Sequence, residues 1–117
     1  MTDPAALRRF PRIASHHSVL VTKLDDGAEG VAMTKTIALG GCCVVSSQQV
    51  GAGSSIELLI AIDRENVIKA LGRVVYERVL EDGYSEIGIE FVHINDEDAR
   101  VIESLFETRE RRRVPAT

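Results

Sequence analysis

Apolar and polar residues alternate one for one through the middle of the chain, the rhythm of strands with one face buried and one face wet. Ile87, Ile89 and Phe91 alternate with Glu86, Gly88 and Glu90. Ile56, Leu58, Ile60 and Ile62 repeat the rhythm, as do Ile68, Ala70, Gly72, Val74 and Tyr76 opposite Lys69 and Arg73. Val31, Met33, Ile37 and Leu39 form a fourth such run with Lys35 in register, and Val19 to Leu24 and Cys42 to Val45 supply two shorter ones. Between them lie Asp25-Asp26-Gly27, Gly40-Gly41, Gly51-Ala52-Gly53, Asp63-Arg64-Glu65-Asn66 and Glu81-Asp82-Gly83, residues that close turns or tolerate positive φ. The pattern predicts six antiparallel strands. Strands with one apolar face bury it best by curling into a barrel, which also removes exposed sheet edges.

Past Phe91 the period lengthens to that of a helix. Asn95 or Asp96 is the expected N-cap, Asp96, Glu97 and Asp98 occupy the first turn, and Arg109 to Arg113 stand near the end, so both termini complement the helix dipole. Ala99, Ile102, Leu105 and Phe106 fall on one stripe, which predicts a helix lying against the barrel and closing an open end. The expected organisation is one domain over residues 1–117, with an Arg-bearing flexible arm over 1–17, a barrel over 18–93 and a C-terminal helix over 95–112.

Composition narrows the function classes. The 117 residues are enough to bury a core without staples, and 44% hydrophobic with 27% charged residues is the balance of a globular protein. The longest nearly uncharged stretch, Ile37 to Ile62, is broken by four glycines, so no membrane insertion is expected. With no apolar run behind the charged N-terminus, a cytoplasmic location is the expectation. Cys42 and Cys43 are sequence neighbours, point to opposite faces of a strand and should stay reduced; with His16, His17 and His93 they give no zinc-type spacing, so no metal is expected. No Ser-His-Asp or Cys-His arrangement is visible, so the chain does not read as an enzyme. A formal net charge of -4 and only five aromatic rings argue against nucleic acid as a partner.

The cations are unevenly spread. Arg8, Arg9 and Arg12 lie within five residues, and Pro11 stiffens the segment and forbids a helix around it. Guanidinium forks grip phosphate oxygens bidentately and stack on purines, so this arm suits a nucleotide ligand. The arm, together with Met33-Thr34-Lys35-Thr36-Ile37-Ala38-Leu39-Gly40-Gly41 and the strand Ser85-Glu86-Ile87-Gly88-Ile89-Glu90-Phe91-Val92, resembles the PilZ family over roughly residues 8–106. That family carries an Arg-x-x-x-Arg arm, matched by Arg8 and Arg12, and an Asp-or-Asn-x-Ser-x-x-Gly turn, matched at its glycine by Gly41.

The resemblance implies a six-stranded PilZ-type barrel, split-barrel-like, with a C-terminal helix, and cyclic di-GMP as ligand. Arg8, Arg9 and Arg12 would lie on phosphates and guanine faces, with Thr36, Ala38, Gly40 and Gly41 at the turn. It further implies a cytoplasmic second-messenger receptor of the kind used in motility or biofilm control, monomeric or homodimeric, that signals to an unidentified effector protein. The chain departs from the family pattern where Thr36 takes the place of the acid or amide and Ala38 that of the serine. Losing a bidentate base contact costs about 1–3 kcal/mol, or on the order of tenfold to a hundredfold in affinity. The alternative expectation is therefore a degenerate PilZ-type adaptor that docks on proteins and does not bind cyclic di-GMP.

Overall fold

The computed structural model describes residues 11–113, with side chains to residue 107. All six expected strands form, and a seventh precedes them: β1 (Ile13–Ala14), β2 (Ser18–Lys23), β3 (Glu29–Ala38), β4 (Gly41–Ser46), β5 (Ser55–Ala61), β6 (Val67–Val79) and β7 (Ser85–Ile94), followed by α1 (Asp96–Arg113). Every pairing is antiparallel, and the order β3-β2-β5-β6-β7-β4 closes on itself through β3–β4. The result is a six-stranded barrel. β1 lies outside the ring and pairs only with β3, through Ile13 opposite Ile37 and Ala14 opposite Thr36. Two residues are too few to show an alternation, which is why the sequence pattern does not reveal this strand.

The inward positions of the strands fill the barrel. Val19, Val21, Ile37, Val44, Ile56, Leu58, Ile60, Ile68, Val74, Ile87 and Ile89 are buried, and complete burial of such a side chain is worth about 1.5–3 kcal/mol. The helix packs its apolar stripe against the barrel core. Ile102 is fully buried, with Val101, Leu105 and Phe106 packed around it. Asn95 is the N-cap: its Oδ1 accepts from the Asp98 amide at 2.8 Å. Asp98 Oδ2 in turn accepts from the Lys69 amide at 3.1 Å and ties the first helical turn to β6. The side chains of Arg109 to Arg113 lie outside the described residues.

The ladders carry three register shifts, at Thr34/Thr36, Leu71/Gly72 and Val74/Tyr76, and the first and last are bulges that reverse the phase of β3 and β6. Lys35 is the extra residue where β3 faces β4, and Val75 the extra residue where β6 faces β7. Before its bulge β3 points Ala32 and Thr34 inward, whereas after it the inward residue is Ile37. The expected single face of Val31, Met33, Ile37 and Leu39 is therefore split, and Val31 is 70% exposed. The same shift on β6 separates Val74, which is buried, from Tyr76, which pairs with Gly88 on the outer wall. Both bulges turn a side chain outward toward the same place.

Candidate functional site

The site is a patch of outer wall over β3, β4, β7 and β6, and cross-strand register lays it out in rows. Ala38, Gly41, Glu90 and Arg73 form one row; Thr36, Cys43, Gly88 and Tyr76 the next; Met33, Val45, Glu86 and Arg78 a third. Neighbouring strands sit about 4.8 Å apart, so each row is about 15 Å across. Without the bulges, Thr36 and Tyr76 would keep the inward phase of Thr34 and Val74.

Tyr76 lies flat on this wall because Gly88 has no side chain: a Cβ added there would overlap the Tyr76 ring. The phenol is held at its far end by Cys43 Sγ at 3.4 Å and by Glu86 Oε2, to which it donates at 3.3 Å. Burial, together with these contacts, pushes the Tyr76 hydroxyl well above its usual value, so it remains a neutral donor. Glu86 is itself buried and is clasped by two cations. Lys35 Nζ reaches Oε1 at 2.8 Å, and Arg78 donates from Nε to Oε2 at 3.1 Å. Hydrogen bonds from Lys35 and Arg78 pull the Glu86 carboxyl down to about 2. Lys35 is the bulge residue, so the same irregularity that turns Thr36 to the outer wall also sends the cation to Glu86.

The chain enters the patch from β1. Thr34 Oγ1 accepts from the His17 amide at 2.7 Å and shares a 2.6 Å hydrogen bond with Ser15 Oγ. Thr34 N donates to His17 O at 2.9 Å and Ser15 N to Lys35 O at 3.1 Å. The part of the expected flexible arm from Ile13 to His17 is thus stitched to β3. Burial is the main cause that lowers the His17 imidazole, with His16 beside it, which favours a neutral ring.

Arg12, one residue before β1, shares a small pocket with Thr36, Ala38, Gly41, Cys42, Cys43 and Tyr76. The structure therefore brings Arg12 together with three of the expected turn residues. Gly40 stands in the two-residue corner between β3 and β4, where its carbonyl accepts from the Phe91 amide at 2.9 Å and pins β7. Arg8 and Arg9 lie outside the described residues.

One expectation about the corner is corrected. Among the described residues positive φ occurs at Gly27, Gly51, Gly53 and Gly83, four of the expected turn glycines, but not at Gly40 or Gly41. Gly41 is the first residue of β4 and Leu39-Gly40 forms the loop, so the corner is not one of the primed hairpin turns. What Gly41 contributes is a missing side chain in the row between Ala38 and Glu90. Sequence reading also missed Tyr76, Cys43 and Glu86 as neighbours of the turn. The one available signal was Gly88 in an otherwise apolar run, since glycine inside a strand marks close approach of another group.

No group of three or more potential metal ligands gathers among the described residues. Nor is any helix among them long and apolar enough to cross a membrane.

A closed six-stranded antiparallel barrel followed by a C-terminal helix, with Arg12 beside the β3–β4 corner, defines a small β-barrel domain. The PilZ domain model matches residues 6–108, and the chain belongs to the PilZ domain family. A search of curated proteins finds no match. Among solved structures it is similar to the Bacillus subtilis inhibitor of motility MotI/DgrA, with TM-score 0.75 and 18% identity over 92% of this chain and 53% of that one. It is also similar to Escherichia coli YcgR in complex with c-di-GMP, with TM-score 0.74 and 16% identity over 90% of this chain and 46% of that one. The separate PilZ domain of YcgR with c-di-GMP gives TM-score 0.69 and 14% identity over 90% of this chain and 92% of that one. The chain spans about half the length of MotI/DgrA and YcgR.

Proposed function

We propose that this protein is a receptor for cyclic di-GMP that grips the ligand between its N-terminal arginines and the β3–β4 corner. Arg8 and Arg12 hold phosphates and stack on guanine, Arg9 adds a third contact, and Thr36, Ala38, Gly40 and Gly41 form the opposing wall. The observation that carries this reading is the shared pocket of Arg12, Thr36, Ala38 and Gly41. Family membership supports it, as do the c-di-GMP complexes among its structural relatives. The Tyr76 ring, held flat beside Arg12, adds an apolar face on which a purine can stack.

Residues 1–117 act as one unit, with the arginine segment before β1 closing over the ligand and reshaping a surface for an effector protein in the cytoplasm. The role is binding and relay, in a monomer or homodimer, and not catalysis. Calorimetric titration with cyclic di-GMP tests the reading. Heat of binding is expected, and Arg8→Ala and Arg12→Ala should each abolish most of it.

A second reading is favoured by Thr36 and Ala38, which lack the acid and hydroxyl of the family pattern. In it the domain is an adaptor that docks on proteins without ligand, and the same titration would show no heat.

A further inference from the structure

Among the described residues, two buried side-chain polar atoms have no hydrogen-bond partner, Thr36 Oγ1 and Glu90 Oε2. Buried polar atoms are nearly always satisfied, so each exception calls for a cause. Both stand on the wall just described, in adjacent rows. Glu90 is the direct register partner of Gly41, which is in turn the partner of Ala38. With only a hydrogen at Gly41 and a methyl at Ala38, nothing in that row blocks the carboxylate from leaning toward the corner. On its other side Glu90 faces Arg73, yet the ion pairs among the described residues are Lys35–Glu86, Lys69–Glu57 and Arg78–Glu86. Its register partner does not neutralise it.

We infer that Glu90 reads the guanine base of the ligand and supplies, from β7 across the intervening β4, the carboxylate that position 36 lacks. The inference rests on the cyclic di-GMP reading above and adds the residue that sets base specificity. The Watson-Crick edge of guanine presents two adjacent N–H donors, at N1 and N2, which one carboxylate accepts together in charge-assisted hydrogen bonds. Adenine offers a donor beside an acceptor there, and a carboxylate cannot donate to the acceptor. An acid at this corner therefore selects guanine over adenine. The unpartnered Thr36 hydroxyl adds one neutral acceptor at most.

The test is calorimetric titration of the full chain with cyclic di-GMP and, separately, cyclic di-AMP, for the unaltered protein, Glu90→Gln, Glu90→Ala and Arg12→Ala. The unaltered protein should prefer cyclic di-GMP. Both Glu90 variants should weaken cyclic di-GMP by about tenfold to a hundredfold and leave cyclic di-AMP unchanged, with urea midpoints near that of the parent. Arg12→Ala should weaken both ligands alike. If either folded Glu90 variant binds cyclic di-GMP as tightly as the parent, the inference is overturned, while loss in Arg12→Ala still upholds the receptor reading. If the unaltered protein binds neither dinucleotide, both fail together.

Discussion

The ring of Tyr76 lies across the backbone of Gly88, its direct cross-strand partner, and a single added methyl group at Gly88 would overlap it. That contact joins three links of the account. The Val75 bulge turns Tyr76 outward, Gly88 lets it lie flat, and Glu86 fixes its hydroxyl, so the wall beside Arg12 is set before any ligand arrives.

Gly88→Ala is accordingly expected to lift the ring off the wall. Overpacking of this kind costs about 1–3 kcal/mol, and urea denaturation should record it as a lower midpoint. The break between Tyr76 and Glu86 should also shift the tyrosine absorbance. A variant that melts with the parent and keeps its absorbance would show that the ring is not held there.

Acid should weaken the fold through Glu86. Lys35 and Arg78 hold its carboxyl at about 2 in the folded protein, against an ordinary value of 4.5, so the folded state binds fewer protons than the unfolded chain between those limits. The stabilisation is complete above about 4.5 and lost as pH falls toward 2. Glu86→Gln has no proton to take up, so its urea midpoint should fall less steeply over this window. Parallel midpoint-against-pH curves for the two proteins would contradict the assignment.

The helix depends on Ile102 and Asn95. Ile102 is fully buried, and Ile102→Ala should cost about 2–5 kcal/mol. Asn95→Ala removes the acceptor of the Asp98 amide and should cost about 1 kcal/mol. Thermal melts followed by far-ultraviolet circular dichroism would rank the two variants. Equal melting temperatures for both and for the parent would mean that the helix is not docked as described.

Restoring the family pattern tests the placement of the turn. A Thr36→Asp, Ala38→Ser double variant is expected to tighten cyclic di-GMP binding by about tenfold or more, the reverse of losing one bidentate base contact. No change in calorimetric affinity would mean that positions 36 and 38 do not face the base.

The strands and the helix were legible because burial imposes its period directly on the sequence: Ile56, Leu58 and Ile60 face inward just as their alternation predicts. The site was legible only along the chain. Arg12, Thr36, Ala38 and Gly41 stand in short local patterns, and the structure brings them together. Tyr76, Glu86 and Glu90 reach the same wall through register between β4, β7 and β6, a non-local relation that alternation does not encode. The bulges at Lys35 and Val75 further hid Thr36 and Tyr76, because one extra residue reverses which face a side chain takes.

Titration of the unaltered protein and of Arg12→Ala with cyclic di-GMP, under identical salt, tests the central claim most directly. Saturable heat with the parent and its near-complete loss in the variant is the predicted result. Equal heats from the two proteins, or none from the parent, would contradict a ligand held between the arginine segment and the β3–β4 corner.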